Sequence, residues 1–225
     1  MSAAAMTMRE APGQLSGVQE YLYSLEWDGQ PRLKNWLIFA IAGDPQNLSD
    51  TDRTGLQHVG EQFLLDMTSR ALQPGCVVGP MLVLVGRQGC GKSRLLKTLA
   101  GEFFCDLHWP LNKNHISEPI WIHELCELDS LGRNGLQKLK ACLTETQDQY
   151  RPSYSKAVVQ VPRSHVFAGT TSNLSLLDLG EDPRRLRFVE VTKRISVDHV
   201  ALMRDQLFAE CVARLESHAA SKVPA

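Results

Sequence analysis

Long apolar runs are missing from this chain. Nowhere in its 225 residues does a hydrophobic stretch approach the roughly 18 residues of a membrane-spanning helix, so no membrane partner is expected. Net charge is nearly absent as well: 24 Lys and Arg stand against 25 Asp and Glu, a formal net charge of −1. Any contact with nucleic acid must therefore come from local basic patches and not from the field of the whole protein. The six cysteines (Cys76, Cys90, Cys105, Cys126, Cys142, Cys211) form no C-x-x-C pair and have no histidine at zinc spacing, so they read as reduced, mostly buried thiols. There is no internal repeat and no low-complexity tract. The start, MSAAAMTMREAPG, lacks the basic-then-apolar order of a signal peptide, and a cytoplasmic location is expected. With 43% hydrophobic and 22% charged residues, the composition is that of an ordinary globular protein.

What is present is concentrated in MLVLVGRQGCGKS, Met81 to Ser93. The apolar, β-branched run Met81 to Val85 reads as a buried parallel strand. It feeds Gly86, Arg87, Gln88, Gly89, Cys90, Gly91, Lys92 and Ser93, which fit G-x-x-x-x-G-K-[ST] at every fixed position. Glycines at those positions let successive backbone N–H groups turn inward around an anion. Lys92 is placed to reach the outer phosphates, the Ser93 hydroxyl to ligate Mg²⁺, and the helix opening at Arg94 to present its positive end. The expected ligands are ATP and Mg²⁺. Cys90 reads as a variable loop position, with redox sensing the alternative.

Around this stretch the chain divides into a disordered tail (1–16), an N-terminal helical region (17–75), an ATPase core (76–197), and a C-terminal helix with a short tail (198–225). In the first region, helices are expected from Gly17, over Arg32 to Ala42, and from about Asp52 to Leu72, with the turn Asp28-Gly29-Gln30-Pro31 between the first two. Within the core, Pro119-Ile120-Trp121-Ile122-His123-Glu124 is an apolar run closing on an acid. A strand of this kind beside the phosphate-loop strand delivers a carboxylate to metal and nucleotide, which assigns Glu124 to the Walker B position. Glu127, three residues on, reads either as an acid that polarises the attacking water or as a helix start. Gly135 to Thr146 has helical spacing, and Tyr150 to Pro162 reads as a loop or hairpin. His165 to Asn173 is another apolar strand, ending in hydroxyls and an amide; Asn173 is placed to orient water and sense the outer phosphate, or is a plain turn former. Basic side chains gather at Lys138/Lys140, Arg151/Lys156/Arg163 and Arg184/Arg185/Arg187/Lys193/Arg194. A last amphipathic helix begins near Asp198, capped by Ser196 or Asp198.

Several motifs in fixed order (YLYSLEWDGQPRL, ALQPGC, VGRQGCGKS, PIWIHELCEL, LKACLTETQDQYRPSY, VPRSHVFAGTTSN and PRRLRFVEV) make the chain resemble the virulence-associated protein E family of phage and mobile-element ATPases, relatives of the superfamily-3 replicative helicases. The resemblance spans about Tyr21 to Val191. It implies an α/β P-loop fold of the AAA+/superfamily-3 type, a parallel sheet flanked by helices. It also implies a ring of copies in which a neighbour supplies an arginine, and a role in replicating mobile DNA. Arg184 and Arg185, before the last strand, are the first choice for that arginine and Arg151 the second. The chain departs from the family where Asp182-Pro183 stands in place of a Gly-Asn before the paired arginines.

Two functions remain open at this level. One is an ATP-hydrolysing motor or loader on single- or double-stranded DNA, working with further copies of itself and with a separate primase or replication partner. The other is a module that binds ATP to assemble with replication or defence partners without moving along DNA.

Overall fold

In a computed structural model of the chain, residues 16–109, 119–150, 159–176 and 184–221 are described. The expected tail through Leu15 and the candidate Arg151 lie outside them. The centre is a five-stranded, wholly parallel sheet. Its strands are β1 (Met81–Gly86), β2 (Phe104–Cys105), β3 (Ile122–Leu125), β6 (Val166–Thr171) and β7 (Leu186–Val191), in the order β2-β3-β6-β1-β7. A parallel sheet needs cover on both faces, and strand alternation supplies an apolar row to each. Leu82 and Leu84 of β1 join one buried cluster, whereas Met81, Val83 and Val85 join the other. Two strands outside this sheet, β4 (Gln147–Tyr150) and β5 (Val159–Pro162), pair antiparallel; of the expected loop or hairpin from Tyr150 to Pro162, residues 151–158 lie outside the described residues.

One face carries α1 (Gly17–Ser24), α2 (Trp36–Ile41), α3 (Asp50–Leu72), α4 (Lys92–Ala100) and α6 (Val197–Ala220). The other carries α5 (Gly132–Thr144). The N-terminal helices and the C-terminal helix are not appendages, because one continuous cluster joins Val18, Leu22, Trp36 and Leu64 to Leu82, Leu96, Trp121 and Phe208. Ser16, placed in the tail by the sequence, caps α1 in a reciprocal capping box with Gln19. The second helix is shorter than expected. The N–H groups of Arg32 and Leu33, where the helix is expected to begin, donate to the Glu210 carboxylate of α6 at 2.6 and 3.0 Å, so a tertiary anchor replaces a helical turn.

The same anchor gives EWDGQPRL its meaning. The Asp28 N–H donates to the Gln206 side chain, Gln206 donates to the Glu26 carbonyl, and Tyr21 donates to Asp205. The motif ties the start of the chain to α6. α3 begins two residues before the expected start, with the Ser49 hydroxyl accepting from the Asp52 N–H. Neither Ser196 nor Asp198 caps α6 through its side chain; the Ser196 N–H donates instead to the Ala40 carbonyl at 2.8 Å. Among the described residues no helix is long and apolar enough to cross a membrane.

Candidate active site

At the carboxyl edge of the sheet, β1 ends in Gly86 because nothing larger fits. A Cβ there would stand 2.5 Å from the Val191 carbonyl of β7. The chain then turns through Gly89 (φ 78°) and Gly91 (φ 104°), left-handed values that a side chain resists. Gly91 precedes α4 with no side-chain cap, and the first turn of α4 holds no acidic residue. The positive end of the helix and its orphan N–H groups therefore face the space ahead of the loop uncompensated. That space is a cleft of about 480 Å³, within the range of small-ligand sites.

Lys92 lies in the cleft wall, but it is not the exposed ammonium its position in the loop suggests. It is 9% exposed, and its Nζ donates to the carbonyls of Gly86 at 2.7 Å and Arg87 at 2.9 Å. A buried ammonium needs acceptors, and the loop's own carbonyls are the nearest. The Ser93 hydroxyl donates to Glu124 Oε1 at 2.7 Å, and Thr170 of β6 donates to the same oxygen at 2.6 Å. Three elements thus converge on one carboxylate, since β3 and β6 are neighbours and β6 adjoins β1. Glu124 is 1% exposed, and its Oε2 is buried with no hydrogen-bond partner among the described residues. A hydroxyl beside a carboxylate with an unused oxygen is a donor set that suits a small, hard divalent cation.

Glu127 stands on the lip of the cleft, exposed, in a left-handed conformation (φ 49°). Such strain in a residue with a side chain is found where a structure holds it for a purpose. It also precedes the short 3₁₀ helix Leu128–Leu131, as the helix-start reading of this residue expects. Cys126 lies beside it. Burial of part of its side chain, and then the neighbouring Glu124, pushes its thiol up to about 11.

Asn173 lies just past β6. Its Oδ1 accepts from the backbone and hydroxyl of Ser175, a turn-forming pattern, and the residues of that strand end that line the cleft are Thr170, Thr171 and Ser172. Of the loop candidates, Gln88, Gly89, Gly91, Lys92, Ser93 and Arg94 line the cleft, and Arg94 pairs with Asp198 at 2.8 Å.

The arginines divide. Arg184 and Arg185 precede β7 at the amino edge of the sheet, where the Arg185 guanidinium donates to the Lys140 carbonyl. The six residues of β7, about 20 Å of strand, separate them from the cleft. The basic cluster that runs from Arg184 to Arg194 in sequence is therefore two sites at opposite edges. Arg163, grouped with the surface bases by sequence, is 2% exposed. It donates to Asp148 and to the carbonyls of Cys142 and Glu145, which locks the base of the β4–β5 hairpin to α5. The sequence marks Thr170 only as a hydroxyl at the end of an apolar run; its role depends on the pairing of β3 with β6, in which Ala168 lies opposite Glu124. Arg194, one of a run of bases in the sequence, lines the cleft.

A protein-family model of the virulence-associated protein E-like domain matches residues 22–224. Among solved structures, the fold is similar to two apo structures of the C-terminal region of NrS-1. One superposes with a TM-score of 0.53 at 15% identity over 84% of this chain and 47% of the other. The second does so with a TM-score of 0.54 at 16% identity over 84% and 46%. The chain thus spans about half the length of the structures it resembles. No curated protein matches it.

Proposed function

The chain belongs to the virulence-associated protein E-like domain family, and from that premise we propose that its cleft binds and hydrolyses a nucleoside triphosphate, ATP first, to drive work on phage-type or mobile-element DNA. The observation that supports this most is the Ser93–Glu124 contact at the open end of an uncapped helix. It joins an anion site to a hydroxyl–carboxylate pair, the two halves that phosphoryl transfer requires.

In this reading the glycine loop and the start of α4 hold the phosphates through backbone N–H groups. Lys92 exchanges its carbonyl acceptors for phosphate oxygens. Ser93 and Glu124 would hold Mg²⁺, which neutralises charge on the outer phosphates when bound. Thr170 fixes the carboxylate by occupying Oε1 together with Ser93. Glu127, exposed on the lip and making no hydrogen bond with its side chain among the described residues, orients the attacking water and takes its proton. The water oxygen bonds to the terminal phosphorus as the bridging P–O bond breaks, releasing nucleoside diphosphate and phosphate.

The ring of copies and the DNA substrate are further parts of the proposal. They are supported by the family and by the separation of Arg184 and Arg185 from their own cleft. ATP hydrolysis measured with and without single-stranded DNA tests it. A motor is stimulated by DNA; an assembly module hydrolyses or binds ATP at a rate that DNA leaves unchanged.

A further inference from the structure

The cleft has two ends. Strand order puts Glu124 and Thr170 on one side of β1 and β7 on the other. On the nucleotide reading, Ser93, Glu124 and Thr170 mark the end where the outer phosphates lie. The opposite wall is the link from β7 to α6, from which Arg194, Ile195 and Val197 line the cleft. This wall is fixed on both sides: the Ile195 N–H donates to the Cys90 carbonyl and the Ser196 N–H to the Ala40 carbonyl, each at 2.8 Å. It also packs directly on the loop, since a Cβ on Gly91 would lie 3.4 Å from the Ile195 Cβ and 3.5 Å from the Val197 Cγ2.

Ile195 and Val197 are buried. Arg194 differs. It is exposed, and its side chain makes no hydrogen bond or ion pair among the described residues. The other two cations of the cleft are engaged, Lys92 with loop carbonyls and Arg94 with Asp198. An exposed planar guanidinium without a polar partner among the described residues, beside an apolar wall, is a surface for a flat aromatic ring. The stretch from Arg194 to Val197 carries no carboxylate or carboxamide that would read the ring's exocyclic groups by hydrogen bonding.

We propose that residues 194–197 seat the nucleoside of the bound nucleotide, with Arg194 stacked on the base, and that the seat takes adenine and guanine alike. The proposal rests on the nucleotide reading of the cleft. Calorimetric binding of ATP, GTP and inorganic tripolyphosphate, with Mg²⁺ and without turnover over the titration, separates the two. Wild-type protein is expected to bind ATP and GTP within a few-fold of each other and both more tightly than tripolyphosphate. Arg194→Ala should weaken both nucleotides about tenfold and leave tripolyphosphate unchanged. Arg194→Lys keeps the charge but loses the planar face, and should behave like Arg194→Ala. Equal loss for tripolyphosphate, no loss for the nucleotides, recovery with lysine, or more than tenfold preference between the purines would overturn the proposal. If the wild type binds tripolyphosphate as tightly as ATP, the nucleoside seat fails alone; if it binds none of the three, the nucleotide reading fails with it.

Discussion

At the scale of single residues, the cleft is organised by which polar atoms are engaged and which are free. Glu124 is engaged through Oε1 with Ser93 and Thr170, whereas the Glu127 carboxylate is exposed at the lip. The two acids should fail differently. Glu127→Gln is expected to keep ATP bound and lower turnover by about 10²- to 10⁴-fold, the loss that follows removal of a general base. Glu124→Gln should lower Mg²⁺-dependent binding as well as turnover. Filter-retained ATP together with single-turnover phosphate release distinguishes them, and trapping by Glu124→Gln alone would reverse the roles. A separate residue effect is read by pH. Burial holds the imidazoles of His123 and His165 below their ordinary value of 6.5. Below that pH the unfolded chain takes up protons that the folded one refuses, so stability present above about 6.5 is lost as pH falls. Each imidazole adds a slope of up to about 1.4 kcal/mol per pH unit. Urea unfolding from pH 7 to 5.5 should show this decline, and His165→Gln should flatten it; parallel curves for the two proteins would show that His165 is not its source.

At the scale of elements, the central strands and the glycine loop were legible because apolar, β-branched runs closing on glycine, acid or hydroxyl carry their own local signal. Met81 to Val85, Ile122 to Leu125 and Val166 to Thr171 all became strands of the parallel sheet. Partners distant in sequence were not legible. EWDGQPRL reads as a turn, yet its role is set by α6, with Arg32 and Glu210 lying 178 positions apart. Arg163 reads as a surface base until the hairpin folds Asp148 onto it. Ser93 and Glu124 were both assigned from local pattern, but their contact, and Thr170 beside it, depends on the order of β1, β6 and β3. The α6 anchor is also the element with the sharpest stability test. Glu210 is fully buried and holds two backbone N–H groups and Arg214. Glu210→Ala leaves Arg214 and those N–H groups without that acceptor and should cost about 3–5 kcal/mol by urea unfolding. A loss below about 1 kcal/mol would mean that the N-terminal motif is held mainly by apolar packing.

At the scale of the whole molecule, Arg184 and Arg185 sit a strand length from their own cleft, so if either contributes to turnover it does so for a neighbouring copy. ATPase activity per chain should then rise with protein concentration. Mixing Arg184→Ala/Arg185→Ala subunits with Lys92→Ala subunits should recover activity that neither variant has alone, because some shared sites combine an intact Lys92 with an intact neighbour's arginines. Co-assembly without recovery would confine these arginines to the fold. All of this presupposes that the cleft turns over a nucleotide, and Lys92 is the residue on which that claim bears most directly. Among the described residues its ammonium hydrogen-bonds only to loop carbonyls and the Cys90 sulfur, so its removal should spare the sheet and its helices. The decisive measurement is Mg²⁺-dependent phosphate release from ATP by wild type and Lys92→Ala at matched concentration, with thermal unfolding recorded for both. Turnover is expected in the wild type and at least a hundredfold loss in the variant, with unfolding temperatures within a few degrees; equal turnover by the two proteins, or none by a folded and assembled wild type, would contradict a hydrolytic role for the cleft.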